Sequence, residues 1–112
     1  LNNQSLFCII NNQNNNEEYV LTNDQKLIIT DINFQKTHEF ELNQKITQLI
    51  TEKDYILSST SDELYLYKNK EIIEGFPIET DGLFNFTDIE NNGKMNIINS
   101  KHGTIYNYEI KL

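Results

Sequence analysis

Side chains able to do chemistry are few in this chain, and their spacing is loose. It carries two histidines, His38 and His102, a single cysteine, Cys8, and 17 acidic residues among 112. Neither histidine stands at a metal-ligand spacing from the other, from Cys8 or from a carboxylate. Glu79, Asp81 and Asp88 lie close together in sequence, but paired carboxylates act as acid and base only when their surroundings drive their pKa values apart. A chain this acidic brings such residues together by composition alone. No G-x-S-x-G, H-E-x-x-H, P-loop or G-x-G-x-x-G run is present. We therefore assign no catalytic or cofactor-binding residue. Cys8, inside the apolar run Leu6–Ile10, reads as a small hydrophobe filling a strand. Tyr65, Tyr67, Tyr106 and Tyr108 alternate at period two. Rings so spaced could face a groove and stack on sugars, but we expect them to pack between layers with their hydroxyls near the wet edge.

What must position these residues is a threefold repeat. Segments starting at Tyr19, Tyr55 and Asn96, offset by 36 and 41 residues, each read as a pair of short strands joined by a polar turn. Ala and Arg are absent, no window carries an amphipathic helical stripe, and Tyr, Phe, Ile and Thr suit a pleated surface. The prediction is all-β. Alternation and turn residues place strands at Ser5–Ile10, Glu18–Thr22, Lys26–Asp31 and His38–Leu42, then at Ile46–Thr51, Tyr55–Ser59, Glu63–Tyr67 and Glu71–Ile73. A third unit has Leu83–Asp88, Met95–Ser100 and Thr104–Ile110. The turns Asn23-Asp24, Ser61-Asp62 and His102-Gly103 take the same place in the three units. Asn11–Asn16 reads as a solvated hairpin loop, and Gly75-Phe76-Pro77 as a break after the second unit. Leu64–Tyr67 and Leu27–Ile29 show no polar alternation, which predicts inner strands covered on both faces. Four strands per unit at this period is the spacing of a propeller blade. The fold expected is a single β domain, residues 1–112, of three consecutive four-stranded antiparallel propeller blades at 5–42, 46–74 and 83–110, the last one strand short.

A formal net charge of −8, spread along the chain, repels phosphate backbones and argues against a nucleic-acid partner. No apolar run approaches the ~18 residues of a helical membrane span. The chain begins at Leu1 rather than Met, and we expect it to be the C-terminal part of a longer propeller.

Gly75–Ile78, Phe86–Ile98 and His102–Tyr108 resemble the blade repeat of FG-GAP or VCBS-type propellers, which runs G-[FW]-P, then an acidic D-x-[ND]-x-D-G loop, then a D-G-x-[IV]-[YF] hairpin. The earlier units look more like generic PQQ-like or WD40-like blades, with Asp62–Lys68 standing where those carry D-G-x-[IVL]-Y. In the FG-GAP family the loop holds Ca²⁺ through side-chain oxygens at alternate positions, a hard-cation cage. The resemblance maps that role onto Asp88, Glu90, Asn92 and Asn96, with Lys94 offering its backbone carbonyl. Only Asp88 keeps the family's residue type, and fewer carboxylates mean weaker binding. The alternative is a loop in which Asp88 and Asn92 bond their own backbone and Gly93 turns the chain. In the same hairpin, His102 replaces the family's Asp and reads as a turn residue, while His38 belongs to an outer-edge strand.

These readings lead us to expect a non-enzymatic binding or scaffolding module, with a protein or carbohydrate ligand and no required cofactor. The alternatives are an accessory propeller of a larger quinoprotein-like or glycan-active enzyme, or a calcium-dependent adhesion domain. The resemblance implies an extracytoplasmic setting. Three blades cannot close a ring, so self-association or completion by further blades is also expected.

Overall fold

The computed structural model describes residues 6–11, 17–52, 54–82, 84–86 and 94–111. Among them there is no helix, and so none long and apolar enough to cross a membrane. Strands β1 (Phe7–Asn11), β2 (Glu17–Asn23), β3 (Lys26–Thr30) and β4 (Lys36–Glu41) form an antiparallel meander in sequence order. Strands β5 (Gln48–Glu52), β6 (Tyr55–Ser59), β7 (Glu63–Lys68) and β8 (Glu71–Ile72) form a second, to which β9 (Ile78–Glu79) adds along β7. The third sheet is β10 (Phe84–Phe86), β11 (Lys94–Lys101) and β12 (Thr104–Lys111).

Three details differ from the sequence reading. The fourth strand of the second unit does not end at Ile73. It is interrupted and resumes as β9, because Leu64 pairs with Ile78 as Leu27 pairs with Phe40 in the first sheet. Gly75-Phe76-Pro77 thus interrupts an edge strand rather than separating two units. The interruption suits an edge, where a missing proline N–H breaks no ladder.

The second difference is register. Each central hairpin turns through two residues, Asp24-Gln25, Ser61-Asp62 and His102-Gly103, closed by the pairs Asn23–Lys26, Thr60–Glu63 and Lys101–Thr104. Counted from these closing pairs, the units are offset by 37 and 41 residues. Tyr55 therefore stands level with Glu18, not with Tyr19. A slip of one residue moves a side chain to the opposite face of a sheet, so this offset decides what each face carries.

The first and third pairs in from the turn define a front face: Thr22, Leu27, Val20 and Ile29 in the first sheet, Ser59, Leu64, Leu57 and Leu66 in the second, and Ser100, Ile105, Ile98 and Asn107 in the third. The second and fourth pairs define a rear face, which includes Tyr19, Leu21 and Ile28, then Ile56, Ser58, Tyr65 and Tyr67, then Ile97, Asn99, Tyr106 and Tyr108. Two cores follow. Val20, Leu27, Ile29 and Ile10 pack with Ile56, Tyr65 and Tyr67, so the front of the first sheet lies on the rear of the second. Leu57, Leu64, Leu66 and Tyr55 pack with Ile97, Tyr108 and Phe84, so the front of the second lies on the rear of the third. The middle sheet is buried on both faces, as the unbroken apolar run Leu64–Tyr67 predicts. The third difference lies in the run Leu27–Ile29, expected to be covered in the same way: Leu27 and Ile29 are fully buried on the front face, but Ile28 is only partly buried on the rear. The first two sheets come closest along β1 and β5, where the Thr51 hydroxyl donates to the Ile9 carbonyl at 3.3 Å. The molecule is a slab of 41 × 37 × 19 Å. Its thin dimension is about one five- to six-residue strand, ~17–20 Å.

Candidate functional site

A hydroxyl recurs at the first pair in from each hairpin tip, and in each sheet it ties the tip to the segment entering that sheet. Thr22 Oγ1 accepts from the Leu6 N–H (2.9 Å), Ser59 Oγ pairs with Thr47 Oγ1 (3.1 Å), and Ser100 Oγ meets Asp81 Oδ2 (3.3 Å). Main-chain bonds run alongside, from Thr47 N–H to the Ser59 carbonyl and from Asp81 N–H to the Ser100 carbonyl, both 2.8 Å. The segments leaving the first two sheets are stitched to the same tips. Leu42 and Ile46 N–H groups donate to the Gln25 and Asp24 carbonyls (2.8 and 2.9 Å), and the Thr80 N–H donates to Asp62 (2.9 Å).

The result is a polar edge with ordered side chains. Gln44 Nε2 donates to Asp62 Oδ2 at 3.1 Å, and the Ser61 hydroxyl donates to Gln44 Oε1 at 2.7 Å. Asn43 Nδ2 and the Tyr65 hydroxyl both donate to Glu63 Oε1 (3.0 and 2.9 Å). Tyr65 is raised above its ordinary pKa, first by burial and then by that bond to the Glu63 carboxylate. At the third tip, Asp81 Oδ2 accepts from the Gly103 N–H (3.2 Å), while Glu79 Oε2 meets His102 Nε2 at 3.0 Å. The Gly103 N–H, followed by the His102 N–H, holds the Asp81 carboxyl below its ordinary value of 3.8. Beside the first tip, an open groove of about 450 Å³ is lined by Asn23, Asp24, Gln25, Lys26 and Glu41.

Of the loop positions singled out by resemblance, Asp88, Glu90 and Asn92 lie outside the described residues. Lys94 and Asn96 belong to β11, where they pair with Lys111 and Glu109. Among the described residues no group of three or more His, Cys, Asp or Glu side chains is placed to share a metal ion. Tyr65 and Tyr67 are buried between the first two sheets, with the Tyr67 ring 4.8 Å from Phe40. Tyr108 packs on the second core and Tyr106 stands half open beside it. Tyr67 is driven well above its ordinary pKa by burial and by Tyr65, as expected of a ring inside a layer. Cys8 is partly buried, its Sγ 3.7 Å from the Leu49 carbonyl, and burial raises the thiol's pKa. That is the setting of a packing residue rather than a nucleophile. His38 sits on β4, exposed, 3.1 Å from Thr37 Oγ1. The joined pairs at the polar edge were not legible beforehand, since Gln44–Asp62, Asn43–Glu63 and His102–Glu79 stand 18, 20 and 23 residues apart. No protein-family model, curated protein or solved structure matches the chain.

Proposed function

We propose that this chain is a run of three successive blades of a β-propeller-type module, related to the FG-GAP-like repeats that its third unit resembles. In this reading it binds a partner along its hairpin-tip edge and scaffolds an assembly rather than catalysing a reaction. One observation carries the reading: front-on-rear packing occurs twice in succession, from the first sheet to the second and from the second to the third. Two sheets around one interior would have buried the middle sheet on one side only. The close approach of the first two sheets along β1 and β5 also supports it, because blades converge where their first strands meet. The tip edge suits binding because its amides, hydroxyls and carboxylates are already held by hydrogen bonds, so little ordering entropy remains to be lost on contact.

The test has two parts on the 112-residue chain. Nuclear Overhauser contacts are expected between the Phe40 and Tyr67 rings, and between the Leu57 or Leu66 methyls and Ile97. Their absence overturns the stacking. Amide shifts are then followed during titration with a lysine-rich peptide and, separately, with a neutral oligosaccharide. Perturbations gathered at Asn23–Lys26, Glu41, Asn43 and Gln44 support the binding edge. Saturation without any shift there overturns it.

A further inference from the structure

The two end faces of the stack are unequal in an informative way. Counted from the turns, Val20, Leu57 and Ile98 are equivalent, as are Leu27, Leu64 and Ile105, and as are Thr22, Ser59 and Ser100. The front face thus repeats one pattern three times: a small hydroxyl by the tip, an aliphatic residue across from it, and a second aliphatic two residues further along the hydroxyl's strand. In the first two sheets both aliphatics are fully buried under the next sheet's rear face. In the third sheet no further sheet lies over the same pattern among the described residues, and Ile98 and Ile105 are 38 % and 74 % exposed.

The opposite end presents the complementary surface. The rear face of the first sheet carries Tyr19, Leu21 and Ile28, flanked by Phe7 and Ile9, which are 52 % and 51 % exposed. Phe34 adds its ring 4.8 Å from Tyr19, and Tyr19 lies 5.3 Å from Phe7. Phe34 is held at φ +62° by a loop in which Asp31 Oδ1 accepts from the N–H groups of Asn33 and Gln35. A bulky side chain in the left-handed region is uncommon and carries a conformational cost. Here that cost places an aromatic ring on an open face. The equivalent rear faces of the second and third sheets are each covered by the front of the sheet before them.

We infer that the front of the third sheet and the rear of the first are two halves of one interface, and that a second copy of this chain joins them. The inference rests on the propeller reading above. One chain exposes both halves, and its own sheets already meet twice through that same contact, so the complement of each end is the other end. Such an interface is heterologous: it closes into a ring if its rotation permits, and otherwise runs on as a filament. Propellers close at roughly four to eight blades. Two copies of the 112-residue chain bring six sheets together, a number within that range.

Light scattering coupled to size-exclusion chromatography, with circular dichroism alongside, reads this directly. Wild-type protein is expected at twice 13.2 kDa. Ile105→Asp, which removes the front half, and Ile9→Asp, which removes the rear half, are each expected to run as folded monomers. Mixed one to one, the two variants retain one intact half each and are expected to form a heterodimer through a single interface. This rescue separates head-to-tail joining from a symmetric contact, in which one variant would still pair with itself. A wild-type monomer at ~100 μM, an Ile9→Asp dimer, or wild-type polymers in place of a dimer overturns the inference. Small-angle scattering keeps the two failures apart. A monomer with a radius of gyration near the 13.9 Å of the stacked sheets overturns only the joining of copies. A much larger radius overturns the stacking itself.

Discussion

Two buried oxygens lack a hydrogen-bond partner among the described residues: Ser58 Oγ and Asn99 Oδ1. They are equivalent positions, each at the second pair from its tip on a rear face. Asn99 is partly compensated, because its Nδ2 donates to the Glu79 carbonyl at 2.7 Å. Ser58 has nothing comparable, and a buried hydroxyl without a partner costs about 1–3 kcal/mol relative to a satisfied one. Ser58→Ala removes that oxygen and leaves a cavity smaller than a methyl group. We expect it to raise the midpoint of urea unfolding, by up to about 1 kcal/mol in stability, whereas a lowered midpoint shows that the hydroxyl is satisfied. Gly103 runs the other way. Its φ is +77° and a Cβ there meets no atom within 4 Å, so Gly103→Ala tests backbone conformation free of any clash. The expected loss is about 1–2 kcal/mol, read from the same unfolding curves, and a neutral result means that the turn rearranges.

At the scale of elements, the third hairpin tip holds the Asp81 carboxylate through its main-chain amides. Asp81 accepts from the Gly103 amide and stands beside Ser100, and those bonds lower its pKa below 3.8. A lowered carboxyl pKa means that the stabilisation is complete above the ordinary value and is lost as pH falls through the lowered one. The Gly103 amide resonance is therefore expected to titrate below pH 3.8, with Asp81→Asn abolishing the transition and speeding amide exchange at the tip. A Gly103 signal that is flat with pH in the wild type rules this coupling out. How far such elements were legible in the sequence varied with their chemistry. Strands β1 to β8 and β10 to β12 announced themselves through alternation and turn residues. β9 did not, since two residues after a proline carry no period, and only pairing to Glu63 and Leu64 makes Ile78–Glu79 a strand. The unit offset also misled: Tyr19 and Tyr55 match in type, yet they sit four and five residues before their closing positions and face opposite ways. Local similarity cannot report which face a residue occupies. The polar edge was hidden for a related reason, because its partners come from linkers and tips that only tertiary stacking brings together.

For the whole molecule, the middle sheet is the structural keystone, since it supplies one wall to each core. Leu57 and Leu66 are fully buried against the third sheet while Ile56 and Tyr67 are buried against the first. Disturbing the middle sheet should therefore loosen both layers together, and unfolding is expected as one cooperative transition rather than sheet by sheet. The equivalent positions Val20, Leu57 and Ile98 give an internal comparison, because the same aliphatic role is played at full burial twice and at partial exposure once. Leu57→Ala leaves a cavity in a closed core and is expected to cost about 2–5 kcal/mol, with Val20→Ala toward the low end. Ile98→Ala, made in the monomeric Ile9→Asp background, removes a methyl-bearing side chain from an open face and should cost less than about 1 kcal/mol. Tyrosine fluorescence during urea unfolding follows all three, as the chain has six tyrosines and no tryptophan. If Ile98→Ala costs as much as Leu57→Ala in that background, the third sheet's front is already covered within a single chain, and the stack is not open-ended. If the three costs follow burial as stated, stability tracks how many neighbours each sheet has, which is how stacked repeats behave.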